Sequence, residues 1–413
     1  MAGGYADLSI LRPIHITGTK GKGSTATFTE SLLRSHFNRL SLPFKSGLYT
    51  SPHVINERDR IRIDSEPVSE DLFTAAFFDI WQNLDLDGDN EEFKPGYLQL
   101  LTLLSVHIFI KEEVDVAVYE VHAGGRKDAT NIFDQPVACG ITEIGLDHAD
   151  LLGPNIESIV WHKSGIMKCG TPTYSVIQRT KTANMLKREA EKIGSPLEFV
   201  DVFEPLPEHP NISQLVQKGN FSLAMQLASD YLSNSGHQLV PDDVELAVQA
   251  KLPGRFRLRT GSINWLLDSA HNYLSLPIAL SWFQSETQTD RMETNTLAPQ
   301  RALIFGHVSH RNTEDLIDII MDHCAKAHIR FDHFILASYH RYGDEMPNST
   351  VRNQLNFWRS RKPEAEPRQA TTTEEAISMV KDMQQEYPGG RFEVLITGSN
   401  HLVGEAVRAL EEE

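Results

Sequence analysis

The residues best suited to chemistry lie near the N-terminus, in the run His15-Ile-Thr-Gly-Thr-Lys-Gly-Lys-Gly-Ser-Thr25. A short apolar segment, Pro13–Thr17, leads in, and Thr25–Phe37 follows with Phe28, Leu32 and Leu33 at helical spacing. Gly18, Gly21 and Gly23 let the backbone curl until several N–H groups face one point. The start of the helix adds partial positive charge at the same place. Such a loop, with Thr19, Lys20 and Thr25 completing it, is a cradle for nucleotide phosphates. Lys22 reaches the outer phosphates, and the Ser24 hydroxyl is placed to bind Mg²⁺. The spacing departs from GxxxxGK[ST]: the loop is shorter before the lysine, and Gly23 separates Lys22 from Ser24. A ligand-free glycine turn is the competing reading. Three glycines and two lysines between a strand and a helix count against it.

The elements that must carry this loop alternate. Glu70–Leu84 and Leu98–Lys111 have helical patterns, and Val114–Glu120, Val137–Thr142 and Thr173–Ile177 read as strands. Strands alternating with helices predict an α/β fold with a mainly parallel sheet covered on both faces, with ligands beyond the carboxyl ends of its strands. A second series follows Leu252-Pro253-Gly254: strands at Ile263–Asp268, Ala302–Gly306, His333–Ala337 and Glu393–Thr397, with helices between. It predicts a smaller α/β domain, with domains at 1–252 and 253–413. Gln284–Gln300 and Tyr342–Thr373 read as surface loops or extra helices.

Composition narrows the function class. At 413 residues the chain is too long for one core, and 40% hydrophobic with 23% charged residues is ordinary for a globular protein. A net charge of −17 argues against nonspecific binding to nucleic acid or acidic lipid. No apolar run is long enough to span a bilayer, and the first residues look like neither a signal nor a transit peptide, so a cytoplasmic protein is expected, with a mitochondrial form if the N-terminus is truncated. A monomer is expected. The scattered Cys139, Cys169 and Cys324 suggest no disulfide framework or zinc site, and are read as buried apolar thiols.

Beyond the loop, seven motifs follow in order: Ser51–Ile63 (SPHVINERDRIRI), Glu120–Asn131 (EVHAGGRKDATN), Gly145–Gly153 (GLDHADLLG), Trp161–Lys168 (WHKSGIMK), Leu252–Arg257 (LPGRFR), Leu266–Asn272 (LLDSAHN) and Thr397–Gly404 (TGSNHLVG). This series, which covers nearly the whole chain, resembles the folylpolyglutamate synthases of the Mur ligase superfamily. The resemblance implies a P-loop ATPase domain followed by a smaller Rossmann-like domain, with the active site between them. It implies ligation of glutamate to the γ-carboxylate of a folate, through an acyl phosphate made with ATP.

The resemblance also assigns roles. Glu120, at the end of a predicted strand, is a hard oxygen ligand for Mg²⁺, and Ser51 and His148 join it at the metal. Taken alone, Ser51 would be a cap and His148 a surface loop residue. Lys163 resembles the lysine that CO₂ carbamylates, which requires a neutral amine. The competing reading is a helix-surface lysine paired with Glu157. Asn220 resembles the asparagine that contacts the nucleotide base. Gln217 fits the family's His-Gln pair, whereas Val216 replaces its histidine. Arg255 resembles the arginine on the ATP phosphates. Asp268 and His271 resemble second-domain contacts to nucleotide and amino acid, and Ser399 and His401 lie where the incoming amino acid is expected. His15, His307 and His310 read as ordinary loop histidines.

Departures from the family pattern bear on the acid substrate. His122 stands where glycine is usual, which predicts a narrowed pocket or a different acid. Val308-Ser309-His310-Arg311-Asn312 lacks the two acidic positions of the family, and Ser269 replaces a glycine. Few residues precede the loop, whereas the family's loop follows a longer leader that helps form the folate pocket. This implies a shortened N-terminus or an acid other than an ordinary folate. Three readings therefore stand: a folylpolyglutamate synthase, a ligase of the same mechanism using a non-folate acid, or a nucleotide-binding protein that has lost catalysis. A plain ATPase is disfavoured by the ordered second-domain motifs.

Overall fold

The computed structural model describes residues 7–84, 94–147, 149–250, 252, 254–273, 275–288, 298–307, 313–341, 344–345, 348–361 and 366–411. The chain divides into two compact units, Met1–Lys251 and Leu252–Glu413.

The first unit runs β1 (Ile14–Thr17), α1 (Lys22–Arg39), β2 (Ser46–Tyr49), β3 (Ile61–Ile63), β4 (Glu66–Pro67), α2 (Glu70–Asn83), α3 (Tyr97–Lys111), β5 (Val116–Glu120), β6 (Ala138–Ile141), α4 (Ala149–Leu152), α5 (Ile156–Lys163), β7 (Thr173–Val176), α6 (Thr180–Ile193), β8 (Leu197–Val200), α7 (Leu215–Ser233) and α8 (Pro241–Ala247). Its sheet has the order β4-β3-β2-β5-β1-β6-β7-β8. All neighbours from β2 to β8 are parallel, and β3 and β4 add an antiparallel edge. Strands β1, β5 and β6 are buried at every position, which is why they read as continuous apolar runs. On one face Ala117 and Tyr119 of β5 share a core with Leu104, Ile108 and Phe109 of α3. Glu120 emerges on the other face, toward α1. The strand order reverses about β1, so the loop after β1 opens at the switch point where α/β sheets bind ligands.

Helix α1 is held at its far end by α8. The carboxylate of Asp243, fully buried, accepts from His36 Nδ1 at 2.9 Å and Arg39 Nε at 2.6 Å. Burial pushes the Asp243 carboxyl up, but the bonds from Arg39 and His36 outweigh it and hold it below its usual value. Its contribution to stability is therefore present at neutral pH and lost as the pH falls through that depressed value. Asp243→Ala leaves His36 and Arg39 without their acceptor and is expected to cost on the order of 2 kcal/mol. Urea unfolding at neutral pH measures this, and the cost should shrink in acid.

The second unit contains β9 (Arg257–Arg259), β10 (Ile263–Leu267), α9 (Ser275–Gln288), β11 (Gln300–Phe305), α10 (Thr313–Ala327), β12 (His333–Ala337), β13 (His340–Arg341), β14 (Asp344–Glu345), α11 (Asn348–Ser360), β15 (Arg368–Ala370), α12 (Thr373–Gln385), β16 (Phe392–Thr397) and α13 (Asn400–Glu411). The six-stranded sheet has the order β15-β12-β11-β16-β10-β9, parallel except for β9. Two expectations need correction here. The stretch 342–373 is not only loop and helix: it contributes edge strand β15, whose Arg368-Gln369-Ala370 carries no apolar alternation. Nor are the cysteines all buried: Cys139 is, but Cys169 is exposed and Cys324 partly so. Cys169 stands in a turn before β7. Among the described residues no helix is long and apolar enough to cross a membrane.

Candidate functional site

Two glycines of the candidate phosphate loop leave no room for a side chain. Gly21 caps α1 with φ 88°, and a Cβ there would fall 2.3 Å from Asn220 Oδ1. At Gly18 a Cβ would fall 1.8 Å from Thr142 Oγ1. Because Gly21 is the cap, α1 begins at Lys22 rather than at Thr25 as the apolar spacing suggests. Lys22, Gly23 and Ser24 thus form the first helical turn, whose N–H groups have no intrahelical acceptors. Across the loop, Thr19 N donates to Glu143 O at 2.8 Å, and Lys20 Nζ lies 3.4 Å from Asp147. Thr17 Oγ1 donates to the Gly124 carbonyl, which ties β1 to the segment after β5.

Glu120 closes the cradle from the neighbouring strand. Its Oε1 is 3.8 Å from Lys22 Nζ, and its Oε2 accepts from Ser51 N at 2.8 Å. Only 4% of Glu120 is exposed, and burial pushes its carboxyl above the usual value, against the opposing charge of Lys22 and the Ser51 bond. The Ser51 hydroxyl accepts from Arg60 Nη1 at 3.1 Å, and Arg60 Nε donates to His53 Nδ1 at 3.1 Å. Arg60 and His53 are both buried and were missed as site residues by sequence reasoning. Their signal was membership of the Ser51–Ile63 motif. Asp59 Oδ2 accepts the N–H groups of Val54, Ile55 and Asn56, which fixes that loop.

Lys163 is at the last position of α5 and only 2% exposed. Its Nζ donates to Gly18 O at 2.6 Å, so it sits under the phosphate loop. Burial first, and then the charge of Lys22, pull its pKa well below the usual lysine value, with Asp147 opposing. It is not the surface partner of Glu157, which pairs with Lys181 at 2.6 Å. From α7, Gln217 Nε2 donates to Ser24 Oγ at 3.3 Å and Asn220 Nδ2 donates to Gln217 Oε1 at 2.7 Å. The structure therefore brings Gly18, Lys20, Lys22, Ser24, Ser51, Glu120, Lys163 and Asn220 into one region of the first unit. His148 and the segment 308–312, with His310, lie outside the described residues.

One histidine expectation changes, and two further histidines gain partners. His15 is a buried strand residue bonded to Thr130 Oγ1 at 2.9 Å, not a loop histidine. His307 is buried and its Nδ1 donates to Gly398 O at 2.8 Å. His122 does not stand in an open pocket: its side chain is 4% exposed, clamped between Tyr49 Oη at 2.7 Å and Asp128 Oδ1 at 3.1 Å. The imidazole bridges Tyr49 at the end of β2 and Asp128 in the segment after β5.

The second unit gathers its own set. Arg255 Nη1 lies 3.1 Å from Asp268 Oδ1, which also accepts from Ala270 N at 2.9 Å. Burial pushes the Asp268 carboxyl up, opposed by Arg255 and by the Phe256 N–H. Ser269 Oγ donates to Gly254 O at 2.9 Å, a bond that glycine at this position could not make. His271 Nδ1 donates to Ser269 O at 2.7 Å. Ser399 Oγ accepts from His401 N at 3.2 Å beyond the end of β16, the strand next to β10.

No protein-family model matches the chain. The folylpolyglutamate synthase of Neurospora crassa is 34% identical over 446 residues, covering 99% of this chain and 83% of that protein. That of Saccharomyces cerevisiae strain AWRI796 is 33% identical, covering 97% and 78%. The mitochondrial folylpolyglutamate synthase of Bos taurus is 36% identical over 76% of this chain and 58% of its own length. Among solved structures, Mycobacterium tuberculosis folylpolyglutamate synthase complexed with ADP and AMPPCP superposes with TM-score 0.78 at 23% identity, over 98% of this chain and 92% of that one. Escherichia coli FolC in complex with DHPP and ADP gives 0.74 at 22%, over 98% and 91%. The structures speak to the fold; the fungal sequences, a third identical along almost every residue of it, make this chain a member of the folylpolyglutamate synthase family.

Proposed function

We propose that this chain ligates L-glutamate to the γ-carboxylate of a folate at the expense of ATP, giving ADP and phosphate. The observation that carries the reading is the convergence of Lys22, Ser24, Glu120 and Lys163 about one glycine loop, in a chain that matches fungal folylpolyglutamate synthases end to end. The loop Gly18–Thr25 would take the nucleotide phosphates on its N–H groups and Lys22, and Asn220 would face the nucleotide base. An oxygen of the acid's carboxylate attacks the γ-phosphorus, and the bond to the β–γ bridging oxygen breaks, leaving ADP and an acyl phosphate. The glutamate amine then adds to the acyl carbon, loses a proton, and expels inorganic phosphate. Arg255 would neutralise phosphate charge, while Asp268, His271, Ser399 and His401 would supply polar groups for the nucleotide and the incoming amino acid.

The donors Ser24, Ser51 and Glu120 are two hydroxyls and one carboxylate, a hard-oxygen set that fits Mg²⁺ and leaves positions for water and phosphate; His148 would be a further ligand. Bound there, the ion would neutralise the charge that develops on the phosphates. Burial pushes the Glu120 carboxyl above its usual value, Lys22 and the Ser51 N–H oppose that shift, and a bound cation would favour the carboxylate further. Lys163 would be carbamylated by CO₂.

Purified protein with ATP, Mg²⁺, a reduced folate monoglutamate and glutamate is expected to release ADP and yield the diglutamate. A panel of pteroates, other carboxylic acids and other amino acids ranks the alternatives. If no acid–amine pair stimulates ATP cleavage by the folded chain, the ligase reading is wrong, and nucleotide binding alone would be what remains.

A further inference from the structure

Five side chains form an unbroken buried row beneath the site. Tyr49 Oη is 2.7 Å from His122 Nε2, and His122 Nδ1 is 3.1 Å from Asp128 Oδ1. Thr130 Oγ1 is 2.7 Å from the same carboxylate oxygen, and His15 Nε2 is 2.9 Å from Thr130 Oγ1. The position of each proton follows from its partners. An ionised carboxylate only accepts, so His122 carries its proton on Nδ1 and Thr130 gives its hydroxyl hydrogen to Asp128. In the neutral imidazole His122 Nε2 is then the acceptor for the Tyr49 phenol. His15 must donate from Nε2, and its Nδ1, buried without a partner, is the bare nitrogen. Burial holds His15 at about 4, so it stays neutral in this role. Asp128 also takes the N–H groups of Ala123 at 2.8 Å and Thr130 at 3.0 Å, which fixes the segment after β5.

Strands β2, β5 and β1 are successive neighbours in the sheet. Tyr49 ends β2, just before Ser51; His122 follows Glu120 at the end of β5; and His15 lies in β1, just before the phosphate loop. The row therefore crosses the three strands whose ends carry the candidate hydroxyl, carboxylate and phosphate cradle. A glycine at 122, the residue of the resembling pattern, has no side chain to join Tyr49 to Asp128, so the row is a property of this sequence.

We propose that the Tyr49–His122–Asp128–Thr130–His15 row is a brace, with His122 its central positioning residue, that fixes the separation of Ser51, Glu120 and the phosphate loop for the magnesium–nucleotide complex. It rests on the proposed function only for the use made of those three elements. Misplacement of such groups by a fraction of an ångström is costly, whereas their identity is untouched by changes in the brace.

The test is calorimetric titration with the non-hydrolysable analogue AMPPCP, with and without Mg²⁺, on wild type, Tyr49→Phe, His122→Asn and the double variant. Asparagine keeps an N–H for Asp128 and loses the acceptor for Tyr49, so both single changes delete the same bond. The affinity gained from Mg²⁺ is expected to fall about tenfold in each single variant and no further in the double, while affinity without Mg²⁺ stays near wild type and thermal unfolding remains cooperative with a midpoint lowered by a few degrees, as loss of one buried hydrogen bond requires. His122→Gly, which also loses the bond to Asp128, should fall further. Nitrogen-15 spectra of labelled histidine should place the His122 proton on Nδ1. An unchanged Mg²⁺ gain in folded Tyr49→Phe, additive losses in the double variant, a proton on His122 Nε2, or no Mg²⁺ gain in wild type each overturns the brace. Wild type that shows the Mg²⁺ gain and its loss in the variants, yet ligates no acid, refutes the proposed function and leaves the brace standing.

Discussion

Lys22→Ala is expected to lower kcat/KM for ATP on the order of a thousandfold, because it removes the cation that faces Glu120 and that we propose meets the outer phosphates. Lys22 Nζ stands 3.8 Å from Glu120 Oε1, and both side chains are largely buried. The loop glycines do not depend on this side chain, so the fold should persist. A second effect separates this variant from a general loss of structure. Burial already holds the Glu120 carboxyl above the usual carboxylate range, and Lys22 is the largest influence opposing it. A carboxyl whose folded value exceeds its unfolded one binds more protons in the folded state, so stability falls as the pH rises between those two values. Removing Lys22 extends that interval upward. The variant should therefore lose more stability than wild type as the pH is raised from the unfolded carboxyl value toward neutrality. Titration with AMPPCP and scanning calorimetry across that pH range check both effects. Nucleotide affinity within about twofold of wild type would sink the assignment of the loop.

How much of this was legible in the residues differs by element. β1, β5 and β6 are covered on both faces, so their apolar runs announced them. β2 did not announce itself. Its Ser46-Gly47-Leu48-Tyr49 is equally buried, but Gly47 is there to admit Phe109, whose ring would lie 2.9 Å from a Cβ at that position. That demand comes from a helix more than sixty residues away in the chain. The glycine turn between β1 and α1 was readable because its backbone demands are local. The burial of Lys163 was not, since an amine at the end of an amphipathic helix looks the same whether it faces water or Gly18. His122 is the sharpest case. Its departure from the resembling pattern was visible, but its meaning was not, because Tyr49 is brought to it only by the adjacency of β2 and β5, and Asp128 only by the turn of the segment after β5. Residues acting through a partner on another strand are the ones that sequence order hides.

Lys163→Met is expected to lower ligase turnover by about a hundredfold or more while leaving the protein folded, and the comparison with bicarbonate present and absent shows why. The free amine is an awkward occupant of its site. It is 2% exposed, and its pKa is drawn well below 10.5 by burial and by Lys22. Above 10.5 it is neutral in the folded and unfolded chains alike and costs nothing. As the pH falls, the unfolded chain takes the proton first, so stability declines until the folded value is passed. In buffer stripped of CO₂, methionine should thus be tolerated as well as lysine, or better by roughly 1 kcal/mol, a rise of about 2–4 °C in melting temperature. A neutral amine is also the form that adds to CO₂. The product keeps an N–H that can still donate to Gly18 O, and its new carboxylate would meet the charges of Lys20 and Lys22 that now oppose the ammonium. Bicarbonate should therefore raise both turnover and melting temperature in wild type and neither in Lys163→Met. Lys163→Arg, which installs a permanent charge beside the same two lysines, should be destabilised and inactive under both conditions. Carbon-13-labelled CO₂ should give a carbamate signal in wild type alone. Turnover independent of bicarbonate, together with an active methionine variant, would reduce Lys163 to a prop for the phosphate loop.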